Sequence, residues 1–199
     1  ALPEMLNEGL LRQVVLPVDN ALSPKYREFL AQVKGVDCEA NLGRAGKRIE
    51  LAEQVWVEIL SVGGKEIRNI ADNRNMVIKV HWKNWKILVT GDLGMVDELD
   101  LMAKGVDLSA DIIFMGHHEW GFSGQHQFFE ATGAKVIIST GASYPRHEMP
   151  RESWVKHLNE EGYYFFNQWK TGAVIMDFSV DEVSIQSYLD DEIRVVLQR

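Results

Sequence analysis

The residues best suited to chemistry stand at the ends of two apolar runs. "KILVTGD" places Asp92 directly behind Gly91, and "ADIIFMGHHEW" places His117 and His118 directly behind Gly116. Carboxylate and imidazole both ligate zinc or manganese, and the ends of two neighbouring strands are stiff enough to hold them a few ångströms apart. Inside a strand, successive side chains point to opposite faces, so both histidines could not reach one ion. Gly116 ends the apolar run and puts the pair on a loop, where one ring can turn to metal and the other to substrate. Each signal also has a plainer reading. Asp after Thr-Gly commonly serves a turn or a helix cap, and adjacent histidines commonly divide between core and solvent. The same strand-glycine-ligand order on consecutive strands lifts the metal reading above both.

Positioning these residues requires the elements around them. After a short opening helix, "QVVLPV" reads as a strand and "SPKYREFLAQVKG" as a helix, with Ser23 as N-cap, Pro24 at the first helical position and Gly35 as the stop. "DCEANL", "KRIEL" and "QVWVEILSV" suggest successive strands, and "NMVIKVHW" with "KILVTG" reads as a hairpin across "KNW". From Asp92 the chain alternates: helix "MVDELDLMAKG", strand "ADIIFMG", helix "GQHQFFEATG", strand "AKVIIST", helix "PRESWVKHLNEEG", strand "YYFFNQ". "TGAVIMDFSVDEVSIQSYL" closes as a second hairpin. The expected class is therefore α/β, with mixed sheets and helices packed outside.

With 199 residues, 46% hydrophobic and 25% charged, the chain has the size and balance of one globular domain. The formal charge of −8 argues against a broad basic surface and a general DNA-coating role. It weighs little against an anionic substrate, because bound divalent ions would reverse the local sign. Cys38 is the only cysteine, which excludes an internal disulfide and a thiolate metal cluster and leaves the compartment open. No apolar run approaches the roughly 18 to 20 residues that span a bilayer. His81 has strand alternation around it and reads as a strand-face residue, while His126 and His157 fall on expected helices as surface residues. "WKNW" and "NQWK" combine aromatic and basic groups that could stack bases, although core and hairpin packing explain them more simply.

Taken together, "DNRNMVIKV", "KILVTGD", "ADIIFMGHH" and "AKVIISTGAS" resemble the C-terminal part of the metallo-β-lactamase fold. The version is that of the DNA-uptake competence proteins of the ComEC family and related phosphodiesterases, and the match in order and spacing runs from about Val14 to the C-terminus. The resemblance implies an αββα sandwich, a single domain over residues 1–199, and a hydrolase centre with two divalent ions, zinc or manganese. Asp92 would bridge the ions. One of His117 and His118 would ligate the second ion, and the other would donate to a phosphoryl oxygen or protonate a leaving group. Asn73 and Asn75 would lie in the polar segment near the site, and Arg146 and His147 would be candidates for anion contact. The substrate implied is a phosphoester or phosphodiester, nucleic acid among the options, and the family analogy points outside the cytoplasm.

Three departures qualify the match. Glu119-Trp120 replaces the family's Gly-Ser, so that Trp120 either stacks on a substrate ring, caps the cleft, or is a wall residue. Asn75 replaces the usual serine. The early His-x-His-x-Asp-His segment, or its His-x-Asp-x-Asp-His variant, occurs nowhere in the sequence, and a catalytic zinc ordinarily takes about three protein ligands. In the family that segment leads into a helix, which "ALPEMLNEG" resembles, so the sequence is expected to be the C-terminal portion of a longer protein. A second reading stands beside the hydrolase: a binding or assembly domain that keeps the fold without a complete metal site.

Overall fold

The computed structural model describes residues 2–17, 24–63, 75–116, 123–140, 149–190 and 194–199. In chain order the elements are α1 (Leu2–Asn7), β1 (Gln13–Leu16), α2 (Pro24–Lys34), β2 (Glu39–Leu42), β3 (Arg48–Ala52), β4 (Val55–Val62), β5 (Met76–Trp82) and β6 (Trp85–Gly91). Then follow α3 (Met95–Ala103), β7 (Ile112–Met115), α4 (His126–Thr132), β8 (Val136–Ser139), α5 (Glu152–Glu160) and β9 (Tyr164–Asn167). The chain closes with α6 (Gln168–Thr171), β10 (Val174–Phe178), β11 (Glu182–Ser187) and β12 (Arg194–Gln198).

Seven strands form the central sheet in sequence order, β3 to β9. Its first half is antiparallel, with two-residue turns joining β3 to β4 and β5 to β6, and its second half is parallel, because α3, α4 and α5 lie between β6, β7, β8 and β9 in the chain. A three-stranded antiparallel sheet, β10-β11-β12, packs on one side. β1 and β2 pair in parallel across α2, whereas successive local pairing is the sequence expectation. Two further elements differ from that expectation. β12 adds a third strand to the closing hairpin, and α6 makes a single turn whose first amides are served by Asn167, the acceptor for the Trp169 N–H. Trp85 belongs to β6 and pairs with Trp82, which shortens the hairpin turn to Lys83 and Asn84.

Alternation along the parallel strands builds two cores. Ile113, Met115 and Ile137 face α3, α4 and α5 together with Leu101, Phe128, Phe129 and Leu158. Ile112, Val136, Ile138 and Phe166 face the three-stranded sheet and meet Val183, Ile185 and Val195. The parallel strands are thus covered on both faces, which explains why "VIIS" and "IIFM" are nearly continuous apolar runs. Each fully buried aliphatic side chain contributes about 1.5–3 kcal/mol, so these layers hold the strand ends rigidly in place. Among the described residues no helix is long and apolar enough to cross a membrane.

Candidate active site

The carboxyl ends of β6, β7 and β8 lie at one edge of the central sheet. Beyond the last ladder pairs the chains stay joined: the Gly116 N–H donates to the Gly91 carbonyl at 2.8 Å, and the Thr140 N–H donates to the Met115 carbonyl at 3.0 Å. β5 runs antiparallel to β6, so its leading residue Asn75 reaches the same edge, where its carbonyl accepts from the Gly63 N–H at 2.9 Å. In open α/β sheets ligands bind outside the carboxyl ends of parallel strands. This edge is where Asp92 sits.

β6 carries an irregularity immediately before the site. Val89 pairs with Phe114 and Gly91 with Met115, so Thr90 is an extra residue opposite β7. Such a bulge re-aims the following side chains. The buried Thr90 hydroxyl steadies it through contacts to the carbonyls of Gly91 (3.2 Å) and Phe114 (3.3 Å). Gly91 takes a left-handed φ of 57°, and a Cβ there would lie 3.2 Å from Asn75 Oδ1, so this position requires glycine on both counts. Gly116 is required for a different reason: a Cβ on it would fall 1.9 Å from Asp92 Oδ1. The two glycines of "TGD" and "GHH" thus clear the space into which Asn75 and Asp92 project.

The Nδ2 atom of Asn75 is buried and has no hydrogen-bond partner among the described residues. Buried donors are normally paired, so this one stands ready for a group not included in the chain's own contacts. Asn73, His117, His118, Trp120, Arg146 and His147 lie outside the described residues. So does Ser23, the expected cap of α2. Of the expected site residues, then, Asn75 lies beside Gly91 and Asp92 beside Gly116 at the same edge, and the histidine pair follows Gly116 directly in sequence.

Glu98, which sequence reasoning passed over, ties the flanks of this region together. It lies on α3, is 1% exposed, and accepts the N–H of Gly124 at 2.6 Å and of Gln125 at 3.2 Å. These amides begin the described chain on the far side of residues 117–122. Burial pushes the Glu98 carboxyl up to about 7 from 4.5, against the opposing pull of the two amides. A signal was present in the sequence: Glu98 shares a helical face with Leu101 and Met102, at spacings of three and four.

At the other end of the same edge, α5, α6 and β9 border a groove of about 580 Å³ lined by Met149, Pro150, Val155, Lys156, Phe165 and Lys170 among others. With strands about 4.8 Å apart, β9 lies roughly 14 Å from β6, so the groove is separate from Asp92. The aromatic residues are committed to packing. Trp85 is 2% exposed, Trp82 and Trp85 both meet the Phe178 ring edge-on, and Trp56 is covered by the His81 ring at 3.5 Å and the Arg48 guanidinium at 3.8 Å. Trp169, on α6, keeps 44% of its surface exposed. His81 is the expected strand-face residue. Its pKa is lowered, first by burial and then by the nearby charge of Lys79.

No protein-family profile and no curated protein matches the sequence. Solved structures do match in three dimensions. The chain aligns over 100% of its length with Igni18, a metallo hydrolase from the hyperthermophilic archaeon Ignicoccus hospitalis, covering 73% of that chain with a TM-score of 0.53 at 9% identity. It aligns over 94% of its length with the E377D mutant of the CmlA β-hydroxylase, covering 39% of that chain with a TM-score of 0.53 at 10% identity. YhfI from Bacillus subtilis, described as a metallo-β-lactamase fold protein, matches over 83% of the chain and 68% of its own, with a TM-score of 0.49 at 8% identity. The chain shares the fold of Igni18. Within this fold the expected mixed sheets with outer helices are present, and Asp92 occupies the end of the last strand before the sheet turns from antiparallel to parallel.

Some of the described residues at the strand edge have the chemistry of a metal centre. The edge contributes one carboxylate held against a glycine and one buried amide donor, Asn75 Nδ2. Asp92 would hold the metal at this edge.

Proposed function

We propose that the chain carries active-site residues of a metal-dependent hydrolase acting on a phosphoester or phosphodiester, in the manner of the ComEC-like proteins its motifs resemble. The observation that supports this reading most directly is the Asp92 carboxylate seated against Gly116, at the joined ends of two parallel strands and one residue before His117. Asp92 would act as ligand, bridging two ions in the complete protein, zinc or manganese by ligand type. Of His117 and His118, one would ligate and the other would face the phosphoryl group. Bound divalent ions supply a nucleophile from water near neutral pH and polarise a phosphoryl oxygen. The chain's own contribution is positional: the Thr90 bulge aims Asp92, the paired glycines admit it, and Asn75 Nδ2 offers a donor at the same edge. Asn73, Trp120, Arg146 and His147 are proposed to line the substrate side.

Replacing Asp92 by alanine in the longest natural form of the protein should abolish metal-dependent turnover of a phosphodiester such as bis-p-nitrophenyl phosphate and remove bound metal. Unchanged activity would refute the role of Asp92. A second reading, a binding or assembly domain with the fold but no working centre, is favoured by the missing His-x-His or Asp-x-Asp-His segment in these 199 residues. Elemental analysis of the same material separates the two, because metal lost on Asp92→Ala belongs only to the first.

A further inference from the structure

A second cluster of metal-ligating side chains lies on the helical layer, away from the strand edge. His126 opens α4, His157 lies in α5, and Glu161 follows one residue past the end of α5. His157 and Glu161 are four residues apart and share a helical face. Their ligand atoms and that of His126 all lie within 4.8 Å of one another. His126 Nδ1 is 2.7 Å from Glu161 Oε2, and His157 Nε2 is 3.2 Å from Glu161 Oε1. Ligands around a tetrahedral zinc with bonds of about 2.1 Å are roughly 3.4 Å apart, so the three groups already stand near the spacing an ion would impose.

The surroundings of His126 fit the same purpose. Its Nε2 lies 3.2 Å from Glu130 Oε1. A neutral imidazole donates from one nitrogen and accepts at the other. With Nε2–H directed to Glu130, Nδ1 would be the atom that ligates an ion placed between Glu161 and His157. A metal-bound histidine ordinarily hands its other N–H to a carboxylate in this way, which fixes the tautomer and makes the ring more basic. Two imidazoles and one carboxylate suit zinc and its later first-row neighbours rather than magnesium or calcium, which prefer all-oxygen sets. The side chains are accessible, with His126 and His157 exposed by 47% and 57%.

We propose that His126, His157 and Glu161 form a surface zinc site, distinct from the centre at Asp92, that clamps the start of α4 to the end of α5. With three protein ligands the fourth position belongs to water. The ion would join two neighbouring helices, α4 and α5.

The test is titration of Zn²⁺ into metal-stripped protein carrying Asp92→Ala, which removes the edge carboxylate, followed by the same titration after adding His126→Ala or His157→Ala. The expected result is one equivalent of zinc bound in the Asp92→Ala protein and lost in both double variants. Tm should rise with zinc in the first and stay unchanged in the others. Should Asp92→Ala fail to fold, the otherwise unaltered protein and its His157→Ala form are compared, and the expected difference is one equivalent. Co²⁺ in place of zinc should give visible ligand-field bands that both histidine variants lack. Equal zinc binding with and without His157 overturns the proposal, whereas metal lost on Asp92→Ala alone bears only on the strand-edge site.

Discussion

The Asp92 carboxylate fills the space that a side chain at position 116 would need. A Cβ built on Gly116 lies 1.9 Å from Asp92 Oδ1 and 3.0 Å from its Cγ. Gly116→Ala must therefore displace the carboxylate or the strand end, and the carboxylate is the more movable of the two. A displacement of about 1 Å at a catalytic ligand typically costs about 10²-fold in rate. Metal-dependent phosphodiester turnover should fall by that order while the urea midpoint shifts little. Wild-type rate and metal affinity in Gly116→Ala would show that the contact does not serve the site.

Glu98 should make stability depend on pH. Its folded pKa, about 7, stands above the ordinary value of 4.5 because the group is buried. Between those values the folded chain holds a proton that the unfolded chain has released, so stability falls as pH rises through this window. The full cost, present above about pH 7, is on the order of 3 kcal/mol at 1.36 kcal/mol per unit. Glu98→Gln cannot ionise. It should lose stability at pH 5, where its amide meets one of the Gly124 and Gln125 N–H donors unfavourably, and regain it relative to the natural protein by pH 8. Chemical denaturation at both pH values measures the difference, and parallel profiles for the two proteins would sink the assignment.

The fold was legible wherever burial is written along the chain as a period. "VIIS" and "IIFM" announce strands covered on both faces, and Gly91 and Gly116 mark the ends of neighbouring strands. The orientation of that pair was also readable, since the helix "MVDELDLMA" between them requires a parallel crossover. What the sequence could not display are contacts between distant residues. Nothing near Gly116 shows that the carboxylate of Asp92 will occupy its side-chain space, and Glu98 looks like one acid among Asp97 and Asp100 until α3 is packed against the chain at Gly124. His157 and Glu161 carry a visible i, i+4 relation. His126 joins them only because α4 and α5 lie side by side. β12 was within reach, as "RVVLQ" is β-branched, whereas the single turn α6 is too short to show any period.

Gly124 and Gly133 provide a controlled pair for separating backbone strain from packing. Both are left-handed, with φ of 75° and 65°, so alanine at either carries a similar backbone cost of about 1–2 kcal/mol. At Gly133, which ends α4, an added Cβ meets nothing within 4 Å. At Gly124 it would lie 2.7 Å from Trp154 Cζ2 and 3.0 Å from Phe129 Cζ. Both rings belong to the helix-side core, and overpacking there adds typically 1–3 kcal/mol. Trp154 cannot simply retreat, because its Nε1–H donates to the Gly124 carbonyl at 3.2 Å while the Gly124 N–H is held by Glu98. Gly124→Ala should therefore destabilise the protein by about 1–3 kcal/mol more than Gly133→Ala, measured by urea unfolding of both variants. It should also strengthen the pH dependence assigned to Glu98, since the Gly124 amide pulls that pKa down and its displacement leaves the effect of burial less opposed. Equal costs at the two positions would mean that Trp154 and Phe129 yield freely and that Gly124 does not lock α3 and α5 together.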